Sequence, residues 1–288
     1  MIELSVPVVA DQVDLLEETL LEIGDARWMV LQDLPTAQSK LIGVFADESE
    51  AEDAWQALVA AAVVVRLPSR PNSRILAEAD WRNSYKAHFK AWHFGKLHWV
   101  PIWERETYAA GGDDKIIWLD PGLAFGTGNH ETTRLCCERL VSLTQDFGFD
   151  VPVIDAGCGS GILALSAARL GYRNVIGFDN DPEAIAVSRE NAEMNGLLNA
   201  VEFFVGDLVT GLANRKGGIV LANIQADVLM AFSDQLLGSV LQPGALVLSG
   251  ILARENDQVR EHFVAKARGW KIEARVMNEW SDLLLIRS

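Results

Sequence analysis

No run of about 18 apolar residues occurs anywhere in the 288 residues, so no segment has the makings of a membrane-spanning helix. Cysteine is scarce. There are three, and two of them, Cys136 and Cys137, are neighbours. That is too few and too uneven for a disulfide framework, and it fits a reducing, cytoplasmic setting. MIELSVPV at the start carries no basic region ahead of an apolar block, so no export signal is expected. Basic charge is also in short supply: 25 Lys+Arg stand against 40 Asp+Glu, a net charge of −15. Gripping a phosphate backbone needs clustered Lys and Arg, so no stable nucleic-acid complex is expected. Drawing in a basic protein is the better fit, with a plain solvated surface as the competing reading. The deficit is uneven, with thirteen acidic and four basic residues in 1–70 but six basic and four acidic in 71–106.

What is present is the composition of a globular chain, 49% hydrophobic and 23% charged, long enough for two domains. A monomer is expected. The most organised stretch is VPVIDAGCGSGIL, residues 151–163. Residues 151–154 are a short apolar run between turn signals and predict a buried strand. Asp155 closes it, and Gly157, Gly159 and Gly161 follow at every second position. LALSAARL, 163–170, then carries apolar residues at helical spacing, which makes the unit strand, glycine turn, helix. Glycine takes backbone shapes that a Cβ forbids and lets a ligand approach the main chain. The helix behind it points free N–H groups and its positive dipole end at the same spot.

A second strand, NVIGFDND, ends in Asp179, 22 positions after Gly157. That is where nucleotide-binding α/β units set a carboxylate on ribose hydroxyls. The dinucleotide fingerprint, however, wants its third glycine five places after the first, and Ile162 stands there. A nucleoside without phosphates is therefore favoured over a pyrophosphate, against a plain glycine-rich turn as the alternative.

Residues 1–67 read as a small α/β unit in the order βαββαβ, that of the ferredoxin-like split fold. Strands are expected at 2–9, 27–34, 40–46 and 63–67. The first helix, 11–23, would be capped by Asp11 and stopped by Gly24; the second spans 48–62. No histidine, cysteine or clustered polar set marks chemistry here, so a binding role fits better. Residues 68–115 form a linker and an aromatic-rich connector holding Trp81, Trp92, Trp99 and Trp103. A helix is expected over 75–89 and a strand at LHWV. The tryptophans are either a lever or docking surface, or rings that wedge two domains together. His88, His93 and His98 lie five apart, which puts no two on one helical face at metal-ligand spacing, so no metal is expected.

Residues 116–288 read as the catalytic domain. The glycine-rich loop PGLAFGTGNHETT leads into a helix at 132–141, where Thr132 or Thr133 could serve simply as the N-cap. Asp181 or Asn180 should cap the helix that begins with Pro182. A third strand, 201–205, leads to Asp207, and a fourth, 218–222, delivers Asn223 to the carboxyl edge where open parallel sheets bind ligands. Strand five is expected at 245–249, and 271–277 with 283–286 form a closing pair.

D-A-G-C-G-S-G, with an acidic residue ending the next strand, resembles the class I methyltransferases that use S-adenosyl-L-methionine. A narrower likeness lies in LDPGLAFGTGNHETTRLCCERL, 119–140, with Ala-Asn-Ile at 222–224 and Leu-Ser-Gly-Ile-Leu at 248–252. These segments closely resemble the PrmA family, bacterial methyltransferases that act on amino groups of the large-subunit ribosomal protein L-eleven. The resemblance implies an α/β fold: a class I methyltransferase (Rossmann-like) domain preceded by a small ferredoxin-like α+β domain for substrate recognition. It implies S-adenosylmethionine contacts at Phe125, Thr133, Asp155, Gly157, Gly159, Gly161, Asp179 and Asn223, with Asp207 on the adenine amino group. Asn223 and His130 are the candidate catalytic residues, Asn223 for orienting the amine and His130 for accepting its proton, with release of that proton to bulk water the open alternative.

Two positions depart from the family pattern. Glu131 replaces the proline of Thr-His-Pro-Thr-Thr, and Gln225 replaces a leucine. Related enzymes acting on amide or base nitrogens open an Asn-Pro-Pro-aromatic motif at Asn223, whereas Asn-Ile-Gln-Ala here points to a flexible amine, a lysine side chain or the N-terminus. The alternatives are the same chemistry on another protein lysine or a small molecule, and a non-catalytic nucleotide-binding module.

Overall fold

A computed structural model describes residues 2–9, 12–25, 27–33, 38–62, 65–68, 70–75, 90–119 and 130–288. The chain divides into two compact units, Met1–His88 and Phe89–Ser288.

In the first unit, β1 (Ile2–Val8), β2 (Trp28–Asp33), β3 (Gln38–Phe45) and β4 (Asn72–Ile75) form one antiparallel sheet, ordered β2-β3-β1-β4. Leu4, Val6 and Val8, at every second position of β1, meet Leu16 of α1 (Val13–Ile23) and Trp55 and Leu58 of α2 (Glu48–Ala61) in one core. Gly24, at φ +67°, ends α1, and the Asp47 carboxylate caps α2 by accepting from the Glu50 N–H. Asp11, the expected α1 cap, lies outside the described residues.

The fourth strand comes later than the pattern predicts. Of the expected strand at 63–67, residues 63 and 64 lie outside the described residues and 65–67 are irregular: Leu67 N–H turns back to the Val65 carbonyl, and Arg66 N–H donates to the Gln12 side chain at 3.1 Å. Pro68 and Pro71 offer no N–H for a ladder. Pairing with β1 therefore starts at Asn72, opposite Ser5.

The second unit opens with a three-stranded sheet, β5 (Trp92–Phe94), β6 (Leu97–Pro101) and β7 (Lys115–Leu119), in which β5/β6 is antiparallel and β6/β7 parallel. Trp92 stacks on Trp99 with centroids 3.9 Å apart, and the buried Trp99 indole donates to Ser166 Oγ at 2.8 Å. Trp99 is thus a core residue of this unit, neither lever nor docking surface. His93 and His98 face each other across the hairpin with stacked rings. The expected helix over 75–89, and Trp81 with it, lies outside the described residues.

The main sheet joins β8 (Val153–Ala156), β9 (Val175–Asp179), β10 (Glu202–Val205), β11 (Gly217–Asn223), β12 (Val240–Leu252), β13 (Lys271–Met277) and β14 (Trp280–Arg287). Their order is β10-β9-β8-β11-β12-β14-β13; the first five run parallel, β14 runs antiparallel to both of its neighbours, and β13 at the edge resumes the common direction. β8 starts two residues after the expected position, because Pro152 lacks an N–H, and it carries Asp155 inside the strand. Successive residues feed opposite cores. Ile219, Leu221, Ala245 and Val247 pack on one face beneath α3 (Glu131–Leu143), α4 (Ile162–Leu170) and α5 (Pro182–Met194). Val220, Ala222, Leu246 and Leu248 pack on the other beneath α6 (Ala226–Ala231), α7 (Ser233–Gly238) and α8 (Asn256–Lys266). A sheet covered on both faces reads as unbroken apolar runs, as these strands do.

α3 is fastened to the closing hairpin by charge. Asp282, fully buried on β14, takes two hydrogen bonds of 2.9 Å from the Arg139 guanidinium and two more from that of Arg275. Arg275 also reaches the Leu135 carbonyl and Glu138 on α3. Removing one partner of a buried pair strands the other charge in a low-dielectric interior. Asp282→Ala should therefore lower unfolding free energy by about 3–5 kcal/mol, read from urea midpoints at unchanged slope. A loss under about 1 kcal/mol, the value of an exposed pair, would show that these arginines do not fasten α3.

Candidate active site

The chain leaves β8 at the point where the sheet order reverses. β9 lies on one side of it and β11 on the other, and open α/β sheets hold ligands in the crevice at such switch points. Gly157, Gly159 and Gly161 all have positive φ, +74°, +51° and +79°. A Cβ on Gly157 would come within 2.7 Å of Ile224 Cγ2, just past β11, so the turn closes across the switch point only without a side chain. Ser188 on α5 secures the turn from behind, its hydroxyl donating to the Gly159 carbonyl at 2.7 Å.

Two carboxylates frame this turn. Asp155 is fully buried; Oδ2 accepts from Ala164 N–H at 3.0 Å, and Oδ1 has no hydrogen-bond partner among the described residues. Burial pushes its pKa up to about 7, against the Ala164 hydrogen bond and with a small push from Asp179. Asp179, at the end of β9, is half-buried. Its Oδ2 accepts from Gly159 N–H at 2.9 Å and its Oδ1 from Asp181 N–H at 3.1 Å. A carboxylate has about four lone-pair sites, so each oxygen keeps one for a ligand hydroxyl.

The start of α3 forms the other wall. His130, not Thr132 or Thr133, is the N-cap. Its Nδ1 lies 2.8 Å from Thr132 Oγ1 and 3.4 Å from Thr132 N, in a helix start where the ring acceptor takes the role of a capping oxygen. Burial lowers the His130 pKa, opposed by nearby Glu131. Trp280 meets the ring edge to face, centroids 4.8 Å apart. Thr133 is buried, and Asn223 Nδ2 donates to its hydroxyl at 3.4 Å. One residue across the ladder, the buried Ser249 hydroxyl donates to the Thr132 carbonyl at 3.0 Å. Glu131, in the proline's place, accepts from Asn278 Nδ2 at 2.9 Å, a side-chain tether for the helix start.

The structure thus brings together Asp155, Gly157, Gly159, Gly161, Asp179, Asn223, Thr133 and His130 along one edge. Phe125 lies outside the described residues. Asp207 is exposed in a turn, where one oxygen accepts from Val209 N–H, Thr210 N–H and the Thr210 hydroxyl. These bonds, Thr210's backbone donor foremost, hold its carboxyl below the usual range. Gln225 is exposed just before α6 and makes no side-chain cap. Ser188 and Ser249 were not foreseen as site residues. Ser188 sits at an ordinary helical position, while Ser249 falls inside the Leu-Ser-Gly-Ile-Leu run, which contained the needed signal.

The Asp155 environment sets a pH signature. Its folded pKa is raised to about 7 from an unfolded value near about 3.9. Between these values the folded chain holds a proton that the unfolded chain has released, so this group makes stability fall as pH rises from about 4 to about 7. Asp155→Asn should flatten that segment of the stability profile relative to the parent chain, measured by urea unfolding at half-unit pH steps. Parallel profiles for both chains would remove the assignment.

Over residues 5–287 the chain matches the family described as "Ribosomal protein L11 methyltransferase (PrmA)". A ribosomal protein L11 methyltransferase of Pseudomonas paraeruginosa is 35% identical over 294 aligned residues, covering 93% of this chain and 96% of that one. One of Geobacter metallireducens is 41% identical over 220 residues, covering 75% and 69%. The crystal structure of a ribosomal protein L11 methylase from Lactobacillus delbrueckii subsp. bulgaricus superposes with a TM-score of 0.60 at 30% identity, covering 69% of this chain and all of that one. With the class I methyltransferase sheet order and a glycine turn at its switch point, the chain belongs to the PrmA family of ribosomal protein L11 methyltransferases.

Proposed function

We propose that this protein transfers methyl groups from S-adenosyl-L-methionine to amino groups of ribosomal protein L11, lysine side chains or the N-terminus, with its first unit recognising that substrate. The observation that carries the reading is the shape and chemistry of the switch-point edge. Three left-handed glycines clear a cradle, the Asp179 carboxylate has acceptor capacity left over, and the Asn223–Thr133 pair closes the far side. Asp155 Oδ1, buried beneath the turn and without a hydrogen-bond partner among the described residues, is a further acceptor at this edge.

When bound, the cofactor supplies an activated methyl on a sulfonium. The chain must hold acceptor nitrogen, methyl and sulfur in line and keep water out. Asp179 would hold the ribose hydroxyls, and the oxygen of Asp207 not used in its turn would take the adenine amino group. Asn223, its Nδ2 turned to Thr133, keeps its carbonyl oxygen to accept from the acceptor amine and fix its lone pair. A lysine amine has a reference pKa of about 10.4 and must shed a proton first; desolvation at this edge favours its neutral form. With Nδ1 of His130 engaged at the helix start, that ring's task is to hold α3 beside Asn223, and the proton leaves to water.

Transfer of labelled methyl from S-adenosylmethionine to purified ribosomal protein L11 tests the reading directly. No label on that protein, under conditions where other basic proteins are labelled, would reassign the acceptor. Two variants separate the roles. Asp179→Ala loses a charged hydrogen-bond acceptor, a cost of about 1.5–3 kcal/mol, so S-adenosylhomocysteine affinity should fall about 10- to 150-fold by calorimetry. Affinity unchanged in a folded variant would rule out the ribose role. Asn223→Ala should lower turnover by at least about tenfold, the rate equivalent of about 1.4 kcal/mol, with cofactor affinity within about threefold. Equal losses in both would make Asn223 a binding residue only.

A further inference from the structure

Residues 1–70 contain only four basic side chains, Arg27, Lys40, Arg66 and Arg70. Arg27 is already paired with Asp25 and Glu50. Two of the remaining three, Arg66 and Arg70, line a single cavity of about 400 Å³ in the first unit. The buried Ser5 and Val6 form its floor, and Pro7, Arg66, Pro68, Arg70 and Asn72 its exposed rim. In a segment with thirteen acidic residues, no Asp or Glu among the described residues lines this cavity. Among the described residues neither guanidinium has an ion-pair or hydrogen-bond partner. Glu3, two residues before Ser5 on the same face of β1, is occupied by Arg74 at 2.9 Å.

The cavity is also held in shape. Gln12 fixes the Arg66 backbone through its N–H, the prolines at 68 and 71 restrict the chain that follows, and pairing of Asn72 with Ser5 pins the far side. Two guanidiniums without a partner among the described residues, on one open recess whose lining also carries a serine hydroxyl and an asparagine amide, match one planar anion through paired N–H···O contacts. The surrounding acidic surface repels an extended polyanion but not a lone carboxylate on an otherwise basic protein. We propose that this cavity is a docking subsite for a single Asp or Glu carboxylate of the protein substrate, held by Arg66 and Arg70. It rests on the proposed function for the identity of that substrate. A basic partner drawn to the acidic unit acquires its register from this one reversed charge pair, since complementary charges fix orientation more than raw affinity.

Two measurements on the full chain test it. In the first, N-acetyl-L-glutamate is titrated into isotopically labelled protein while the side-chain amide of Asn72 and the guanidinium Nε–H signals are followed. Saturable shifts are expected in the parent chain and none in R66Q/R70Q. Absence of shifts in the parent chain, or stronger shifts with inorganic phosphate, would overturn the carboxylate assignment. In the second, steady-state methylation of purified ribosomal protein L11 should show KM raised at least about tenfold in R66Q/R70Q, the worth of one charged hydrogen-bonded contact. Turnover at saturation and S-adenosylhomocysteine affinity should stay within about twofold of the parent chain. An unchanged KM would overturn the docking role. A parent chain inactive on that protein would defeat the proposed acceptor and this docking partner together, while the glutamate titration, which needs no methylation, would still decide whether the carboxylate site exists.

Discussion

The second unit depends on a missing methyl group. At Gly157 the chain turns from β8 toward α4 so close to Ile224 that a Cβ would lie 2.7 Å from its Cγ2. The same backbone requires φ of +74°, which side chains rarely adopt. Steric closure and backbone handedness thus demand the same residue at one place. Because Ile224 directly follows Asn223, the contact also sets how near the end of β11 stands to the glycine turn. Phe178's carbonyl takes the N–H groups of both Gly157 and Cys158 at 2.9 Å, so β9 shares in holding the turn.

The other side of the edge is held by polar contacts. Helix α3 presents His130, Thr132 and Thr133, and it is tied down in two different ways. Toward its start, Ser249 grips the Thr132 carbonyl and Asn278 grips Glu131; along its length, Arg139 and Arg275 converge on buried Asp282. Hydrogen-bonded charges in a dry interior add little net stability over an apolar substitute, but they permit one geometry. That is what an edge needs if an amine is to meet a methyl group in line. Glu131 shows how a departure from the family pattern is absorbed. A proline at a helix start stiffens by fixing φ, while this chain ties the same position to a neighbouring turn.

Much of this was legible in the sequence, for physical reasons that differ along the chain. The glycine spacing and Asp179 located the glycine turn at the sheet's switch point because φ restrictions and strand-end carboxylates act locally. Sheet strands announced themselves as apolar runs because both faces are covered. Where distant contacts decide, the sequence was silent or misleading. Nothing in residues 63–67 tells that Gln12 takes the Arg66 N–H and that pairing waits until Asn72. Thr132 and Thr133 look like caps, yet the histidine before them fills that place and frees Thr133 for Asn223. Trp99 looked like a surface or a wedge, and only its bond to Ser166, 67 residues away, shows it to be core.

The three thiols carry a consequence of their own. Cys136 and Cys137 are wholly enclosed in α3, and Cys158 is enclosed in the glycine turn. Burial raises the pKa of all three. A thiol that is neither ionised nor reachable reacts with an alkylating reagent only when its surroundings open. The chain therefore holds clocks in two places: one thiol times excursions of the glycine turn, and an adjacent pair times those of the helix braced by Asp282. Any ligand that settles on the turn should slow the first clock before the second.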